Sequence, residues 1–344
     1  MRIFSWALMA SLVTAFFSMA CSPEQNWREV SFDGASVKVQ LPCKPDRTTR
    51  AVPLGGVPVQ LQVVGCESGS AMVAVMTAPL KPGADVQAIF PAGGSTGERL
   101  HRLLQNEGVP DLVLPIAGET RESFTVHERQ SQHEYRFVLP GPALSHDEWE
   151  AGLTCLRRLS PAPAWVISSG SLPPGAPSDG HARIARVARD IGARMVVDSS
   201  GPALAGALEA GVWLIKPSLR ELSELSGEAL TTPAMQRAAA RRLIERGQTR
   251  MVALSLGGAG AMLVTADQCL QADALSVPVT SSVGAGDSFL AALVWALDRQ
   301  ADLAEALANA MAAGAAAVMA SGTGLCQPQD MERLRALVRV QPAT

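Results

Sequence analysis

The most constraining feature of this sequence is a regular alternation, from about residue 90 onward, of short apolar runs and longer amphipathic ones. The strand-like runs include DLVLPI, WVISSGS, RMVVDSS, VWLIKPS and MVALSLGG, and small or polar residues end or follow each of them. Between them lie segments such as DGHARIARVARDIG and TPAMQRAAARRLIERG, whose apolar residues recur every three or four positions, as in helices. Apolar strands that alternate with helices predict an α/β fold in which helices cover both faces of a mainly parallel sheet.

The same pattern predicts where a ligand would bind. In open parallel sheets the ligand crevice lies beyond the carboxyl ends of the strands, which is where the small and polar residues of this sequence fall. The net charge is −3 and the chain has no block of five or more consecutive lysines and arginines. Nucleic acid is therefore not an expected partner. The cysteines and histidines show no C-x-x-C or H-x-x-x-H spacing, which argues against a zinc site.

The segment SSVGAGDSFLAALVWAL carries the strongest local signal for chemistry. Gly284, Ala285 and Gly286 lead directly into a helical run, so backbone N–H groups at the start of that helix could bind a phosphate or a developing oxyanion. Asp287 falls in the first turn, where a carboxylate can act as a base on a nearby hydroxyl. The alternative is a plain turn in which Asp287 only stabilises the helix start. This motif alone does not decide between the two.

Eight segments, in one order along the chain, together resemble the PfkB branch of the ribokinase-like carbohydrate kinases. They are FPAGGSTGE, TRESF, EYRFVLPG, SGSLPPG, VVDSSGPAL, IKPSLREL, VALSLGGAGAM and SSVGAGDS. The resemblance covers residues 88–339 and is greatest to the 6-phosphofructokinases of the family, with 1-phosphofructokinases and tagatose-6-phosphate kinases as near relatives. It implies a ribokinase-like three-layer sandwich that transfers phosphate from ATP to a phosphosugar, with fructose 6-phosphate as the expected acceptor and fructose 1,6-bisphosphate, a glycolytic intermediate, as the product.

The resemblance also implies roles for individual residues. Asp287 matches the general base of the family, and Gly284, Ala285 and Gly286 match the anion hole for the transferring phosphoryl group. The residues that match contacts to ATP are Lys216, Ser218, Ser255, Gly257, Gly258 and Gly260. Arg121 and Ser171 match contacts to the phosphosugar, and a guanidinium suits a phosphate. Taken alone, Arg121 would be an ordinary solvated loop charge.

Metal binding is expected on the same basis. Glu221 matches the glutamate of the N-x-x-E magnesium motif of the family, although it could also be a surface acid at the start of a helix. The asparagine of that motif is Ser218 here, so weakened Mg²⁺ binding is expected. Residues that fall where family members offer oxygens to a monovalent cation are Ser281, Val283, Ala317 and Gly322. The expected cofactors are ATP and Mg²⁺, with K⁺ as a further candidate.

Residues 1–21 have the pattern of an export signal. A short positive start precedes an apolar run of about 15 residues, too short to span a membrane as a helix, and small residues follow. Ala20-Cys21 fits a lipoprotein cleavage point, after which a lipidated Cys21 would anchor the chain to a membrane. Ordinary cleavage is the alternative, because Ser18 stands where a bulky aliphatic residue is usual. An export signal implies the cell envelope, whereas ATP-dependent chemistry implies the cytoplasm, which would hold if this start is a fusion.

Residues 22–85 are expected to form a small β-rich module of unknown function, in which Cys43 and Cys66 could pair in an oxidising compartment. Family members instead begin with a strand that carries a substrate-binding Asp, followed by a G-G-x-x-x-N segment, and neither occurs before Phe90. The kinase domain is therefore expected to be N-terminally truncated, without two elements that bind sugar hydroxyls, an early strand of the central sheet and half of the β-lid. Activity is then impaired and the homodimer of the family becomes doubtful. The alternatives are a catalytically inactive fusion and a cell-envelope lipoprotein that carries a kinase remnant.

Overall fold

The computed structural model describes residues 28–31, 38–41, 43–54, 57–68, 71–77, 86–128, 134–320, 324 and 326–343. The chain divides into two compact units, the first made of residues 1–51 and 60–79 and the second of residues 52–59 and 80–344. The predicted export signal and Cys21 lie outside the described residues. Within the described part of the chain, no helix has the length and apolar character needed to cross a membrane.

Apart from residues 43–45, the described residues before position 78 form strands. A two-stranded antiparallel sheet pairs β1 (Arg28–Ser31) with β2 (Lys38–Leu41). A three-stranded sheet has the order β3 (Asp46–Leu54), β4 (Val57–Ser68), β5 (Ala71–Thr77). Residues 52–54 of β3 and 57–59 of β4 belong to the second unit. Cys43 is disulfide-bonded. The side chain of Cys66 is outside the description, so the pairing of Cys43 with Cys66 stays a prediction.

The second unit is built on a seven-stranded sheet in sequence order. Its strands are β10 (Trp165–Ser169), β11 (Arg194–Asp198), β12 (Val212–Ile215), β13 (Thr249–Ser255), β14 (Ala261–Val264), β15 (Cys269–Ala272) and β16 (Val340–Pro342). The first three pairs are parallel and the last three are antiparallel. The connections from β13 to β14 and from β14 to β15 are too short for the crossover that parallel pairing needs. The sheet is therefore mixed, and the predicted parallel pairing holds for its first four strands.

Helices cover both faces of this sheet, which confirms the predicted three-layer architecture. The helices of the second unit are α1 (Gly94–Asn106), α2 (His146–Arg157), α3 (Gly180–Asp190), α4 (Gly201–Ala210), α5 (Leu219–Ser226), α6 (Pro233–Glu245), α7 (Ala285–Asp298), α8 (Leu303–Met319) and α9 (Pro328–Arg335). Successive strand residues point to opposite faces. Val196 packs in the core with α7, α8 and α9, whereas its neighbours Met195 and Val197 pack in the core with α3–α6.

Two smaller sheets complete the described part of the second unit. β6 (Ala88–Ala92) and β7 (Asp111–Pro115) pair in parallel around α1 and form a separate two-stranded sheet. β8 (Ser123–His127) and β9 (Glu134–Val138) form an antiparallel hairpin. On that hairpin the rings of Phe124 and Phe137 stack with their centroids 5.0 Å apart, although both side chains are exposed.

Candidate active site

The candidate site lies at the carboxyl ends of β11, β12 and β13. Asp198 is the last residue of β11, Lys216 follows the last residue of β12, and Ser255 is the last residue of β13. The three strands are neighbours and run in parallel, so these ends meet at one edge of the sheet. This is the edge at which the sequence predicts a ligand crevice.

An ion pair between Lys216 and Asp198 organises this edge. The Lys216 Nζ atom lies 3.1 Å from Asp198 Oδ1, and the two side chains are only 10% and 17% exposed. A Cβ atom built on Gly286 would lie 3.3 Å from Lys216 Nζ. The lysine therefore extends from the end of β12 past the end of β11 to the first turn of α7. One ammonium group thus connects the two strand ends with the G-A-G-D segment.

The start of α7 has the geometry that anion binding requires. Gly284 is the N-cap residue, and its φ of +79° lies in the left-handed region that favours glycine. The amide of Ser288 donates to the Gly284 carbonyl at 2.9 Å, and no side chain caps the helix. The N–H groups of Ala285, Gly286 and Asp287 therefore have no capping partner within the described residues. They can donate to a bound anion.

The Asp287 carboxylate lies in this first turn and is exposed. It makes no hydrogen bond or ion pair with any side chain or backbone group that the structure describes. The carboxylate is therefore available to a ligand, and its charge can stabilise the helix start as well, since that effect needs no hydrogen bond.

The charges of three side chains act on the Asp198 carboxyl, namely Lys216, Asp287 and Glu221. Burial raises the pKa of the Asp198 carboxyl above its ordinary value, and the charges of Asp287 and Glu221 raise it further. The Lys216 ammonium acts in the opposite direction on the same pKa. The structure therefore brings together Asp287, Lys216 and Glu221, which the resemblance implicated separately. It adds Asp198, whose sequence signal was its position at the end of an apolar strand.

The Glu221 side chain has a structural role at the start of α5. Ser218 N donates to Glu221 Oε2 at 2.8 Å, and Glu221 N donates to Ser218 Oγ at 3.3 Å, which together form a capping box. No group of three or more histidine, cysteine, aspartate or glutamate side chains among the described residues is placed to hold a metal ion. Mg²⁺ is often held by only one or two carboxylates together with substrate phosphates. Glu221 fits that second arrangement rather than a cage made by protein alone.

The loop after β13 is tied to the segment that carries Lys216. Ser255 N and Ser255 Oγ both donate to the Pro217 carbonyl, at 2.9 and 3.3 Å. A Cβ built on Gly258 would meet open space, whereas one built on Gly260 would lie 2.0 Å from the Ala272 carbonyl oxygen. Gly260 is also at φ +102°. Gly260 is therefore fixed by close packing against β15, while Gly257 and Gly258 border open space beside the site.

The residues predicted to hold a monovalent cation lie near the end of α8. Ser281 is buried, and its N–H donates to the Val318 carbonyl at 3.2 Å. Val283 N donates to Ser281 Oγ at 3.3 Å. Ala317 is buried in the last turns of α8 and its carbonyl accepts from Ala320 N. Gly322 lies outside the described residues.

The two residues predicted to bind the sugar phosphate lie in different places. Ser171 is exposed in the loop after β10, and the adjacent Gly170 N donates to the Asp198 carbonyl at 2.8 Å, which connects this loop to the end of β11. Arg121 is exposed on the segment that leads into β8, with its Cδ atom 3.8 Å from a Cβ built on Gly141. None of the contacts that the structure records for Arg121 is with the group around Lys216.

Known proteins resemble this chain over most of its length. Residues 68–330 match the pfkB family of carbohydrate kinases; this region begins at the last residue of β4, before the residue 88 that the motifs indicate. An ATP-dependent 6-phosphofructokinase isozyme 2 from Mycobacterium tuberculosis is 44% identical over 246 residues, which are 72% of this chain and 72% of that protein. The protein of the same name from Escherichia coli is 39% identical over 271 residues, which are 78% of this chain and 87% of that protein.

A solved structure gives the same result for the fold. The crystal structure of phosphofructokinase-2 from Escherichia coli in complex with potassium superposes with a TM-score of 0.70 at 34% identity, and the alignment covers 85% of this chain and 96% of that chain. The chain belongs to the pfkB family of carbohydrate kinases.

Proposed function

We propose that this protein is an ATP-dependent phosphosugar kinase that converts fructose 6-phosphate into fructose 1,6-bisphosphate. The observation that carries the proposal is the exposed Asp287 carboxylate in the first turn of α7, which has no hydrogen-bond or ion-pair partner among the described residues. The neighbouring Gly286 lies beside the Lys216 ammonium. Phosphoryl transfer depends on positioning and on electrostatic stabilisation more than on covalent chemistry of the protein. A base, a row of amide donors and a fixed cation are the groups that this reaction needs.

In this mechanism Asp287 is the general base. It takes the proton of the C1 hydroxyl of fructose 6-phosphate while the hydroxyl oxygen forms a bond to the γ-phosphorus of ATP. The bond from the γ-phosphorus to the bridging oxygen breaks, and ADP leaves with that oxygen. The backbone N–H groups of the Gly284, Ala285 and Gly286 turn donate to the charge that develops on the transferring phosphoryl group. Each of these groups lies in the first turn of α7.

The donor side of the site is assigned to the ends of β12 and β13. Lys216 would bind an ATP phosphate, because its ammonium points to the first turn of α7. The loop made by Ser255, Gly257 and Gly258 borders open space and would lie against the nucleotide, while Gly260 gives the loop its shape. The Ser218 hydroxyl caps α5, so Ser218 would contribute to ATP binding by fixing the start of this helix beside Lys216.

Two cations are part of the proposal. Mg²⁺ would neutralise phosphate charge and arrive bound to ATP, with Glu221, whose charge acts on Asp198, as a candidate carboxylate ligand. K⁺ would be held near the end of α8 by oxygens of Ser281, Val283, Ala317 and Gly322. The solved Escherichia coli relative that is described as a potassium complex supports this second assignment.

The acceptor is assigned with Ser171 and Arg121. Ser171 lies in the loop that donates a hydrogen bond to the Asp198 carbonyl through Gly170 N. The guanidinium of Arg121 has no ion pair with any residue that the structure describes, and a guanidinium suits a sugar phosphate. The names of the two relatives support fructose 6-phosphate as acceptor.

The test is ADP formation by the full chain with ATP and, in separate reactions, fructose 6-phosphate, fructose 1-phosphate and tagatose 6-phosphate. We expect the highest kcat/KM for fructose 6-phosphate; a preference for fructose 1-phosphate would make the protein a 1-phosphofructokinase.

The assembly that we propose is a homodimer through the β8–β9 hairpin. One face of the hairpin exposes Phe124, Val126, Tyr135 and Phe137. Because an isolated two-stranded sheet is barely stable in water, a second copy that covers this face would stabilise it. Light scattering of the purified chain tests this. The mass of a dimer is the expected result, whereas the mass of a monomer would indicate that the loss of half of the family lid prevents this contact.

An inactive fusion is the second candidate function. It is favoured by the absence of a G-G-x-x-x-N segment before Phe90, which family members use on the acceptor side. ATP binding without ADP formation would identify it.

The catalytic chemistry requires cytoplasmic ATP, so we assign the kinase domain to the cytoplasm. The predicted export signal, with lipidation of Cys21, would instead place the chain in the cell envelope.

A further inference from the structure

A groove with a volume of about 630 Å³ lies between α6 and the β15–β16 edge of the large sheet. Its lining includes Arg237 and Arg241 of α6, Gln268 and Cys269 at the start of β15, and Ala343 after β16. The volume is in the range of sites that bind small molecules. None of these residues belongs to the kinase site proposed above.

The groove is at the opposite end of the sheet from that site. In the antiparallel pairing of β13 with β14, Ser255 is opposite Ala261 and Val252 is opposite Val264. Ser255 lies at the candidate active site, so Val264 and the turn that follows it lie toward the other end of the strands. Cys269 is paired with Val264 and therefore lies at this other end as well.

Two cations converge on the groove. Arg237 and Arg241 are one helical turn apart, so both project from the same face of α6. Their charges both act on the Cys269 thiol and lower its pKa, although burial raises that pKa and is the larger effect. Arg237 Nη1 donates to the Ala343 carbonyl at 3.2 Å. Arg241 Nε is buried and has no hydrogen-bond partner within the described residues. A buried guanidinium nitrogen without an acceptor is costly, so a ligand that draws this side chain toward the groove and accepts from Nε would be bound favourably.

The surroundings leave room for such a ligand without neutralising the arginines. Ala234 and Ala238 occupy the same face of α6 and line the groove with small side chains. Asp267 also lines the groove, yet no ion pair joins it to either arginine among the residues that the structure describes. The groove therefore combines volume, two guanidinium groups and an unsatisfied donor.

We propose that this groove is a second anion site, which binds a small phosphorylated molecule separately from the kinase site. Guanidinium groups donate in a fork that matches a phosphate, and two of them on one helical face suit a ligand with one or two phosphoryl groups. Occupancy would stabilise the packing of α6 against β13 and β14, which carry the loop at the kinase site on their far ends. The proposal does not depend on the identity of the sugar substrate.

The test uses pyrophosphate as the probe and the full chain with Lys216→Met, so that binding at the kinase site is weakened. Calorimetry should show a binding event that persists in this variant. Adding Arg237→Gln and Arg241→Gln should weaken it at least about tenfold, because each substitution removes charge-assisted donors. The matched control is Arg242→Gln, the next residue on α6, which pairs with Glu228 at 2.8 Å outside the groove. It should leave pyrophosphate affinity unchanged.

A second readout locates the ligand. Pyrophosphate should slow alkylation of Cys269 but not of Cys155, measured by mass spectrometry of the modified peptides. If the double arginine variant unfolds, Arg241→Gln alone replaces it, since the Nε atom of that residue has no partner to lose among the described residues. The proposal is overturned if Lys216→Met abolishes all pyrophosphate binding, or if Arg242→Gln weakens it as much as the groove variants do.

Discussion

The ammonium group of Lys216 lies 3.1 Å from the carboxylate of Asp198, between the carboxyl ends of two adjacent parallel strands. Both side chains are almost buried, and the ammonium reaches the first turn of α7, where a Cβ on Gly286 would lie 3.3 Å away. Asp198 therefore fixes the position of the Lys216 ammonium. If ATP binds as we propose, the geometry of the donor site depends on this ion pair.

Asp198→Asn should weaken ATP binding by about tenfold, because the Lys216 ammonium loses the charge that orients it. It should also destabilise the fold, since removal of one partner leaves a buried charge uncompensated. Calorimetry with ATP and urea denaturation measure the two effects. The matched control is Glu224→Gln, which breaks an exposed ion pair with Arg220 and should change neither quantity appreciably. Wild-type ATP affinity in Asp198→Asn would contradict the assignment.

Asp287→Asn should reduce kcat by ~10²–10⁴-fold while ATP affinity stays nearly unchanged, because the amide keeps the shape of the carboxylate but cannot accept the proton. Steady-state kinetics and ATP titration measure this split. Asp298→Asn, at the other end of the same helix, is the control; its oxygen can still accept from Trp165 Nε1, as Asp298 does at 2.9 Å. A base elsewhere would be indicated if Asp287→Asn turned over at the wild-type rate.

The alternation of apolar runs and amphipathic helices predicted the layers of the second unit, because both periods depend on local burial. It also predicted that a ligand would bind at the strand ends that now hold Lys216 and Ser255. The sequence did not predict the antiparallel half of the sheet. Strand direction depends on connection length, and the short turns around Gly260 and Thr265 were the signal that could have shown it.

The role of Asp198 could not be read from the sequence for a related reason. An acidic residue at a strand end is common, and only the register of β11 with β12 brings it against Lys216. The structural role of Gly260 could not be predicted from the sequence either. Its resemblance to an ATP-binding glycine is a property of the motif, whereas its contact with the Ala272 carbonyl depends on the pairing of β14 with β15.

Gly260→Ala should destabilise the fold by at least ~3 kcal/mol, because the residue is at φ +102° and a Cβ would lie 2.0 Å from the Ala272 carbonyl oxygen. Gly258→Ala is the control two residues away, where a Cβ would meet open space, and it should cost less than about 1 kcal/mol. Urea denaturation gives both values. Equal stabilities would show that this loop does not pack as described.

His181 should make the fold less stable in mild acid. The ring is buried, with Nδ1 2.9 Å from Ser168 Oγ and Nε2 without a partner in the described part of the chain. Burial lowers the pKa of His181 below the ordinary 6.5, and a hydrogen bond with the Gly170 backbone opposes this only in part. Below pH 6.5 the unfolded chain therefore takes up a proton that the folded chain does not, and stability falls as the pH falls.

The measurement for His181 is the free energy of unfolding between about pH 5 and pH 7.5, compared with that of His181→Leu. The leucine variant should lose stability less steeply in acid. The raised pKa of Asp198 acts with the opposite sign, but it is present in both proteins and cancels in the comparison. Identical slopes would show that His181 titrates in the folded state as it does in the unfolded chain.

The central claim is that this chain transfers a phosphoryl group from ATP to fructose 6-phosphate with Asp287 as the base. Phosphorus NMR of the full chain with both substrates, Mg²⁺ and K⁺ tests it most directly, because it identifies every phosphorylated product. We predict equal amounts of ADP and fructose 1,6-bisphosphate, and neither product from Asp287→Asn on the same time scale. Unchanged ATP and fructose 6-phosphate, or ADP with inorganic phosphate and no bisphosphate, would contradict the claim.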